Sequence, residues 1–348
     1  MIHKIWRFAR PHTIIGSSVS VFTLLVLVVF YTPLPNTDCL IHNDYLYLLS
    51  DSSIPKSDAN MPMVVGFIPL VVEKLSVFFT LFFPSLIACL SCNLFITGLN
   101  QISDIELDKI NKPNLPLASS ELSLKQAWTI CLVALCLALA ISWSIQPFFG
   151  YLIATIALIG TLYSMPPIRF KRYHVWAASA IALVRGPMVN IGLTVHFYTL
   201  VYNCSFISPD WLFPLTLFVS AFSLGIAWFK DIPDTEGDAE FGIRTVAVIW
   251  NKTQAFRAGV TVVSLAYVLI AWHYLMPNMG SRFFIAIGEA QPIIQQNRVA
   301  GIAHLLALLL FLWQSRRCDL NNPKSIHRFY MFYWCLFFLE YLMFPIIL

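Results

Sequence analysis

Apolar residues along this chain gather into nine long runs separated by short polar stretches. They cover residues 13–31, 76–100, 124–144, 147–164, 175–199, 211–230, 254–276, 299–314 and 328–348. A helix crosses the hydrocarbon core of a bilayer with about 20 apolar residues. The pattern therefore predicts an all-α, polytopic membrane protein of about nine transmembrane helices, in one domain spanning residues 1–348. Residues 62–75 are apolar as well and lead into the second run. The first run is long for the apolar core of a signal peptide and lacks a small-x-small cleavage site, so it reads as a retained helix.

Composition narrows the class further. The chain is 58% apolar and only 11% charged, where soluble domains carry about a quarter charged residues. A soluble enzyme and a disordered chain are both excluded. The net charge of +4 is too small to point to nucleic acid. Most of the eight cysteines sit inside apolar runs, where a thiol behaves as a small hydrophobe. Cys89 and Cys92 have redox-like spacing, but a zinc site needs about four ligands, so packing explains them better.

The basic residues carry the topology. The N-terminus and the loops after spans 2, 4, 6 and 8, with their helix ends, hold 17 of the 22 lysines and arginines. By the positive-inside rule this side is cytoplasmic and the N-terminus lies there. The first span begins after only twelve residues, with no Ser- and Arg-rich transit segment, which favours a bacterial plasma or thylakoid membrane. Residues 32–61 form a long outer connection between spans 1 and 2, with Asp38, Asp44, Asp51 and Asp58 among prolines. Asn203-Cys204-Ser205 matches a glycosylation acceptor but carries little weight alone.

The acids are not scattered. Nine of the 18 lie in two windows, Asp104 to Glu121 and Asp231 to Glu240. These fall in the cytoplasmic loops 101–123 and 231–250. Asn100, Asp104 and Asp108 are spaced i, i+4, i+8. Each step of four advances about 40° around a helix, so the three share one stripe. Asp231, Asp234 and Asp238 make a second face if that helix continues, although Gly237 leaves its end open. Like charges on one face need compensation, because an acid in a span costs about 2.5–3.5 kcal/mol. Oxygen-only ligands favour Mg²⁺ over zinc or copper. Two matched windows suggest two similar halves facing one central cavity.

Lys109 and Lys112 follow the first window, Lys230 and Arg244 flank the second, and Arg169, Lys171 and Arg172 lie on the same side after Tyr163. Mg²⁺ ringed by Arg and Lys is a way to hold a diphosphate. Arg185 falls inside span 5, where an arginine is a functional-site candidate. Its packing alternative is pairing with Glu340 in span 9. A cation channel or transporter would also place acids in a membrane cavity, but would not need basic residues crowded beside them. A lipid phosphotransferase of the CDP-alcohol type would show one compact acidic cluster, not two.

Asn100-x-x-x-Asp104-x-x-x-Asp108 with Asp231-x-x-Asp234-x-x-x-Asp238 resembles the signature of the UbiA superfamily of intramembrane prenyltransferases. Arg10-Pro11-His12-Thr13, the run Asp108 to Ala118, Tyr163-Ser164-Met165-Pro166-Pro167-Ile168-Arg169, Phe229 to Asp238 and Phe337 to Tyr341 resemble its homogentisate prenyltransferase branch. The resemblance implies nine helices around a cavity open to the cytoplasm and to lipid. It implies transfer of a prenyl group, phytyl by preference, from its diphosphate to homogentisate with decarboxylation, toward tocopherol-type prenylquinols; 4-hydroxybenzoate is the runner-up acceptor. It implies about two Mg²⁺ held by Asp104, Asp108, Asp234 and Asp238 with support from Asn100 and Asp231. Arg10, Lys112, Tyr163, Arg169, Lys171 and Lys230 are the expected substrate contacts, and Arg185 and His12 the candidates for the acceptor's carboxylate. The expected partners are the prenyl diphosphate, the aromatic acid and the lipid bilayer. The sequence leaves the oligomeric state open.

Overall fold

A computed structural model of the chain describes residues 2–32, 63–203, 206–276 and 298–347. Most of the outer connection 32–61, and Cys204 and Ser205 of the glycosylation match, lie outside the described residues.

Short helix α1 (Ile2–Phe8) precedes α2 (Pro11–Val26), which runs on through a π turn at Leu27–Tyr31. Then follow α3 (Met63–Ser103), short α4 (Ile105–Asn111), α5 (Leu124–Ile145) and α6 (Pro147–Ser164). Next come α7 (His174–Leu183), a π turn at Val184–Met188, and α8 (Val189–Tyr202). The chain continues with α9 (Leu212–Asp231), short α10 (Thr235–Glu240), α11 (Val246–Trp250) and α12 (Lys252–Leu275), and ends with α13 (Arg298–Arg316) and α14 (Pro323–Ile347). Among the described residues nine helical stretches are long and apolar enough to cross a membrane, with α7, its π turn and α8 forming the fifth. The nine runs of the sequence correspond to these one for one. The apolar lead-in before span 2 is the start of α3, whose 41 residues would extend about 60 Å at 1.5 Å per residue.

Local chemistry explains the helix ends. Span 3 opens on a capping box, in which the Ser123 side chain accepts from the Gln126 backbone and the Gln126 side chain accepts from Ser123. Proline stands at the first helical position of α2 and α6, where its missing N–H costs nothing. Buried Ala127, Cys131, Ala134 and Ala138 mark one face of span 3, and spans 2 and 3 pack together. Small residues let membrane helices approach closely where apolar burial alone gives no preference over lipid. At spans 6 to 9 the core is aromatic instead. Phe222 stacks on Tyr333 at 4.1 Å, and the Tyr333 hydroxyl donates to the Phe222 carbonyl at 2.8 Å.

Spans 1, 2, 4, 5, 6 and 9 surround a central cavity of about 1420 Å³. Spans 3, 7 and 8 buttress this ring from outside. The N-terminal helix and the loops after spans 2, 4, 6 and 8 meet on one side. Arg7 pairs with Glu121 at 2.8 Å, and Lys4 donates to the Glu121 carbonyl at 3.0 Å, so α1 straps the loop after span 2. The loops after spans 4 and 6 are joined backbone to backbone. Arg244 N–H donates to Arg172 at 2.9 Å and His174 N–H donates to Arg244 at 3.1 Å.

Candidate active site

The two acid runs do not stay on continuous helices. Span 2 stops at Ser103, Asp104 turns to φ −120°, ψ 18°, and α4 restarts at Ile105. Span 6 stops at Asp231, Asp234 takes φ −89°, ψ 0°, and α10 restarts at Thr235. The single helical stripe expected of the first run is thus corrected, and the second run, whose helix end the sequence left open, bends in the same way. Each run bends at its middle carboxylate, which relieves the stacking of like charges that a straight helix would impose. The backbone of each bend is closed by matching bonds, from Asp108 N–H to Asp104 at 2.7 Å and from Asp238 N–H to Asp234 at 2.9 Å. Neither Asp104 nor Asp234 uses its side chain as a helix cap. Both carboxylates turn to cations instead.

Asp104, Asp108, Asp234 and Asp238 are all buried. Asp104 Oδ1 lies 2.9 Å from Arg169 Nη2 and 2.5 Å from Lys171 Nζ. Lys171 also donates to Ser103 Oγ at 2.7 Å. Lys112, at the end of the first segment, pairs with Asp234 of the second. Lys230 lies 3.1 Å from Asp231 and donates to the Tyr163 hydroxyl at 3.0 Å. Arg10 donates to Asn100 Oδ1 at 3.2 Å. Arg10 and Arg169 hold φ of 54° and 45°, a left-handed region that arginine seldom occupies and that tends to persist at functional sites.

The halves touch directly. Asn111 Nδ2 donates to Asp238 Oδ1 at 3.4 Å and to the Asp234 carbonyl at 3.5 Å. Gly237 sits against the same side chain. A Cβ there would lie 2.1 Å from Asn111 Oδ1, so a side chain at this position would have to displace Asn111 where the segments meet.

Burial works against the charged forms in this cluster. Burial pushes the Asp108 carboxyl up to about 6, against the pull of Lys112 and Arg10. Burial, with Asp231 and Asp234 beside it, pushes Asp238 up to about 7. Burial draws the Lys171 amine down to about 8, with Asp104 opposing. Asp108 Oδ2 is buried with no hydrogen-bond donor. An orphaned carboxylate oxygen among oxygen donors suits a hard cation. Among the described residues, no three acidic, histidine or cysteine side chains converge closely enough to hold a metal by themselves. The aspartates are spread between lysine and arginine partners, so a cation here needs further oxygens from a ligand.

The cavity wall includes Arg10, Asn100, Lys112, Tyr163, Lys171, Arg185, Lys230, Asp231 and the four buried aspartates. Arg169 is the expected residue that the wall does not include; it stands behind Asp104 and holds it. Asn111, Ser164 and Trp334 line the cavity too and were not expected. Asn111 was hidden in the run after Asp108, where nothing but its position beside Lys112 marked it. Away from the acids the wall turns apolar, with Ile96, Ile153, Ile156 and Ile226. The pairing of Arg185 with Glu340 does not occur. Glu340 lies 3.2 Å from His304, and Arg185 stacks on Trp334 at 4.8 Å. Cys92 is buried and Cys89 partly so, both unbridged, in keeping with packing.

Residues 59–336 match the UbiA prenyltransferase family. The chain is 35% identical to homogentisate phytyltransferase of Synechocystis sp., over 100% of this chain and 96% of that protein. It is 32% identical to homogentisate phytyltransferase 1 of Arabidopsis thaliana, over 98% of this chain and 74% of that one. Its fold resembles the solved structure of a UbiA homolog from Archaeoglobus fulgidus bound to GPP and Mg²⁺. That match has a TM-score of 0.55 and 17% identity, and covers 98% of each chain.

Proposed function

This chain belongs to the UbiA prenyltransferase family and is a membrane prenyltransferase, and on that premise we propose that it prenylates homogentisate within the bilayer. Phytyl diphosphate is the favoured donor. One observation carries the reading: two bent acid segments, each ringed by cations, face each other at one end of a cavity whose remainder is largely apolar apart from Arg185, His12 and a few neutral polar side chains. That is the layout for a diphosphate head on a greasy tail. The relatives' names support the ring and the tail.

The allylic C–O bond breaks with its electron pair going to the diphosphate. A ring carbon of the acceptor forms the new C–C bond and loses its proton. The acceptor carboxylate leaves as CO₂, and its bonding pair takes up a proton to leave a methyl group. The product is a 2-methyl-6-prenyl-benzoquinol of the tocopherol type. About two Mg²⁺ fit the site, with Asp104, Asp108, Asp234 and Asp238 holding them and Asn100 and Asp231 in support. Bound there, they would offset the charge of the departing diphosphate. Lys171, Arg10 and Lys112 bind the diphosphate oxygens, and Lys230 orients the Tyr163 hydroxyl. Arg169 positions Asp104. The acid side faces the cytoplasm of a plasma or thylakoid membrane.

Purified protein with Mg²⁺ is offered homogentisate and 4-hydroxybenzoate against phytyl, geranylgeranyl and solanesyl diphosphates, with products read by mass spectrometry. Labelled CO₂ from carboxyl-labelled homogentisate is expected. Turnover should fall by orders of magnitude in EDTA and in the Asp104→Asn, Asp234→Asn double variant. Prenylated product that keeps its carboxylate, or turnover with 4-hydroxybenzoate alone, refutes the acceptor. Full turnover in EDTA refutes the metal.

A further inference from the structure

Arg185 is the one arginine inside span 5, eleven residues from the start of that span at His174, about 17 Å in at 1.5 Å per residue. Such a charge is kept in a membrane only when it is compensated or used. Among the described residues no carboxylate pairs with it. Its ionisable neighbours are His12, Tyr330 and Tyr341, and none of these is an acid anion at neutral pH. The acid it could have met, Glu340, is committed to His304.

The backbone around it is built to present it. Val184–Met188 is a π turn with Pro187 inside, and π turns recur at functional sites. The looser turn leaves carbonyls to be satisfied elsewhere. Asn190 Nδ2 donates to the Arg185 carbonyl at 3.0 Å and to that of Gly186 at 2.8 Å. Asn190 Oδ1 in turn accepts from the Tyr341 hydroxyl at 2.8 Å. Gly186 is pressed onto span 6, where an added Cβ would lie 2.0 Å from Ser220 Oγ. Asn190 and Tyr341 therefore fix the turn that aims Arg185 at the cavity. Side chains tilt toward the N-terminus of their helix, and for span 5 that is the end carrying the acid segments.

Trp334 ties Arg185 to that end. His12 lies 5.0 Å from the same indole, and two residues before it Arg10 bonds Asn100. Arg10, His12, Trp334 and Arg185 thus line one cavity in a chain of neighbours that runs from the acid segments to the arginine.

We infer that Arg185, set by the π turn, Asn190 and Tyr341, is the binding residue for the carboxylate of the aromatic acceptor, with Trp334 as the wall beside its ring. This rests on the aromatic-acid reading above and singles out Arg185 over His12. Asn190 and Tyr341 are positioning residues.

The test uses the full chain in lipid nanodiscs with Mg²⁺, titrating homogentisate and phytyl diphosphate separately. Losing one partner of a buried charge pair costs about 2 kcal/mol or more, so Arg185→Gln should raise the homogentisate KM at least about thirty-fold. The donor KM should stay within about two-fold. Arg185→Lys should recover part of the loss, which mere packing would not. Tyr341→Phe, which deletes one hydroxyl, should raise the acceptor KM alone by several-fold, and it carries the test if Arg185→Gln does not fold. An unchanged acceptor KM overturns the assignment, and so does a rise in donor KM instead. If the parent prenylates neutral phenols but no aromatic acid, the acceptor reading itself fails. If the parent turns over the acid and the variants match it, only the role of Arg185 fails.

Discussion

Gly237→Ala tests whether the two acid segments must touch. The new methyl carbon would lie 2.1 Å from Asn111 Oδ1, 2.8 Å from its Cγ and 3.0 Å from its Nδ2, where ordinary contact begins at 3.4 Å. The shortfall at the nearest atom is about 1.3 Å. Two responses are open. Asn111 can rotate away and give up its contacts with Asp238 and Asp234, or the segments can part. Parting them overpacks a buried contact, at a typical cost of about 1–3 kcal/mol. It also shifts Asp234 and Asp238 relative to Asp104 and Asp108 by about 1 Å, and a misplacement of that size costs on the order of 100-fold in rate. Turnover of Gly237→Ala should therefore fall between the modest loss of Asn111→Ala and about 100-fold. The double variant should return to the level of Asn111→Ala, because the clash has lost its partner. Initial rates of prenylation and the half-inactivation temperature in detergent are measured for all four proteins. Parental turnover in Gly237→Ala, or a loss beyond that of Asn111→Ala that the double variant does not relieve, would refute the contact as the reason for the glycine.

Lys171→Gln and Arg169→Gln should separate binding from positioning in a donor titration at saturating acceptor. Lys171 lines the cavity, so its loss raises the donor KM about ten-fold or more, as expected for a charged contact. Arg169 stands behind Asp104, so its loss lowers kcat more than it moves the donor KM. His304→Leu leaves Glu340, which is 1% exposed, with only the Tyr267 hydroxyl as a polar partner among the described residues, and should destabilise the protein by about 3–5 kcal/mol. The folded fraction should keep its kinetic constants, since neither residue lines the cavity. Adding Glu340→Leu should restore most of the lost thermal stability.

The spans were legible because each is a long apolar run whose ends carry the basic residues. The acids were legible because 104 and 108, like 234 and 238, repeat the spacing of one helical turn. The bend at Asp104 was not, since no glycine or proline stands near it and the turn is held by cations distant in sequence; at Asp234 the adjacent Pro233 marks the break, but its partner Lys112 is remote in the chain. Lys171 and Arg169, two residues apart, could not be assigned to different tasks, because the short 3-10 turn between them decides which faces the cavity. Asn190 gave no signal at all, and Tyr341 stood only at the end of a motif that said nothing of its task. Their roles exist only because the π turn needs its carbonyls satisfied by Asn190, itself held by Tyr341, 151 residues away in the chain. Pairwise geometry of that kind is invisible to periodicity.

Helix α3 is one piece of secondary structure from Met63 to Ser103. Its apolar stretch Lys74–Ser103 has 30 residues, about 45 Å of helix against a hydrocarbon core of about 30 Å. A rod that overshoots the core must lean, or the lipid beside it must thicken. Asn100 rides on the last turn of this rod, one bend from Asp104. The thickness of the surrounding lipid leaflets thus has a mechanical route to the reacting groups. The same polypeptide in thin and in thick bilayers would hold Asn100 at different heights against Arg10, making acyl-chain length a variable of turnover in its own right.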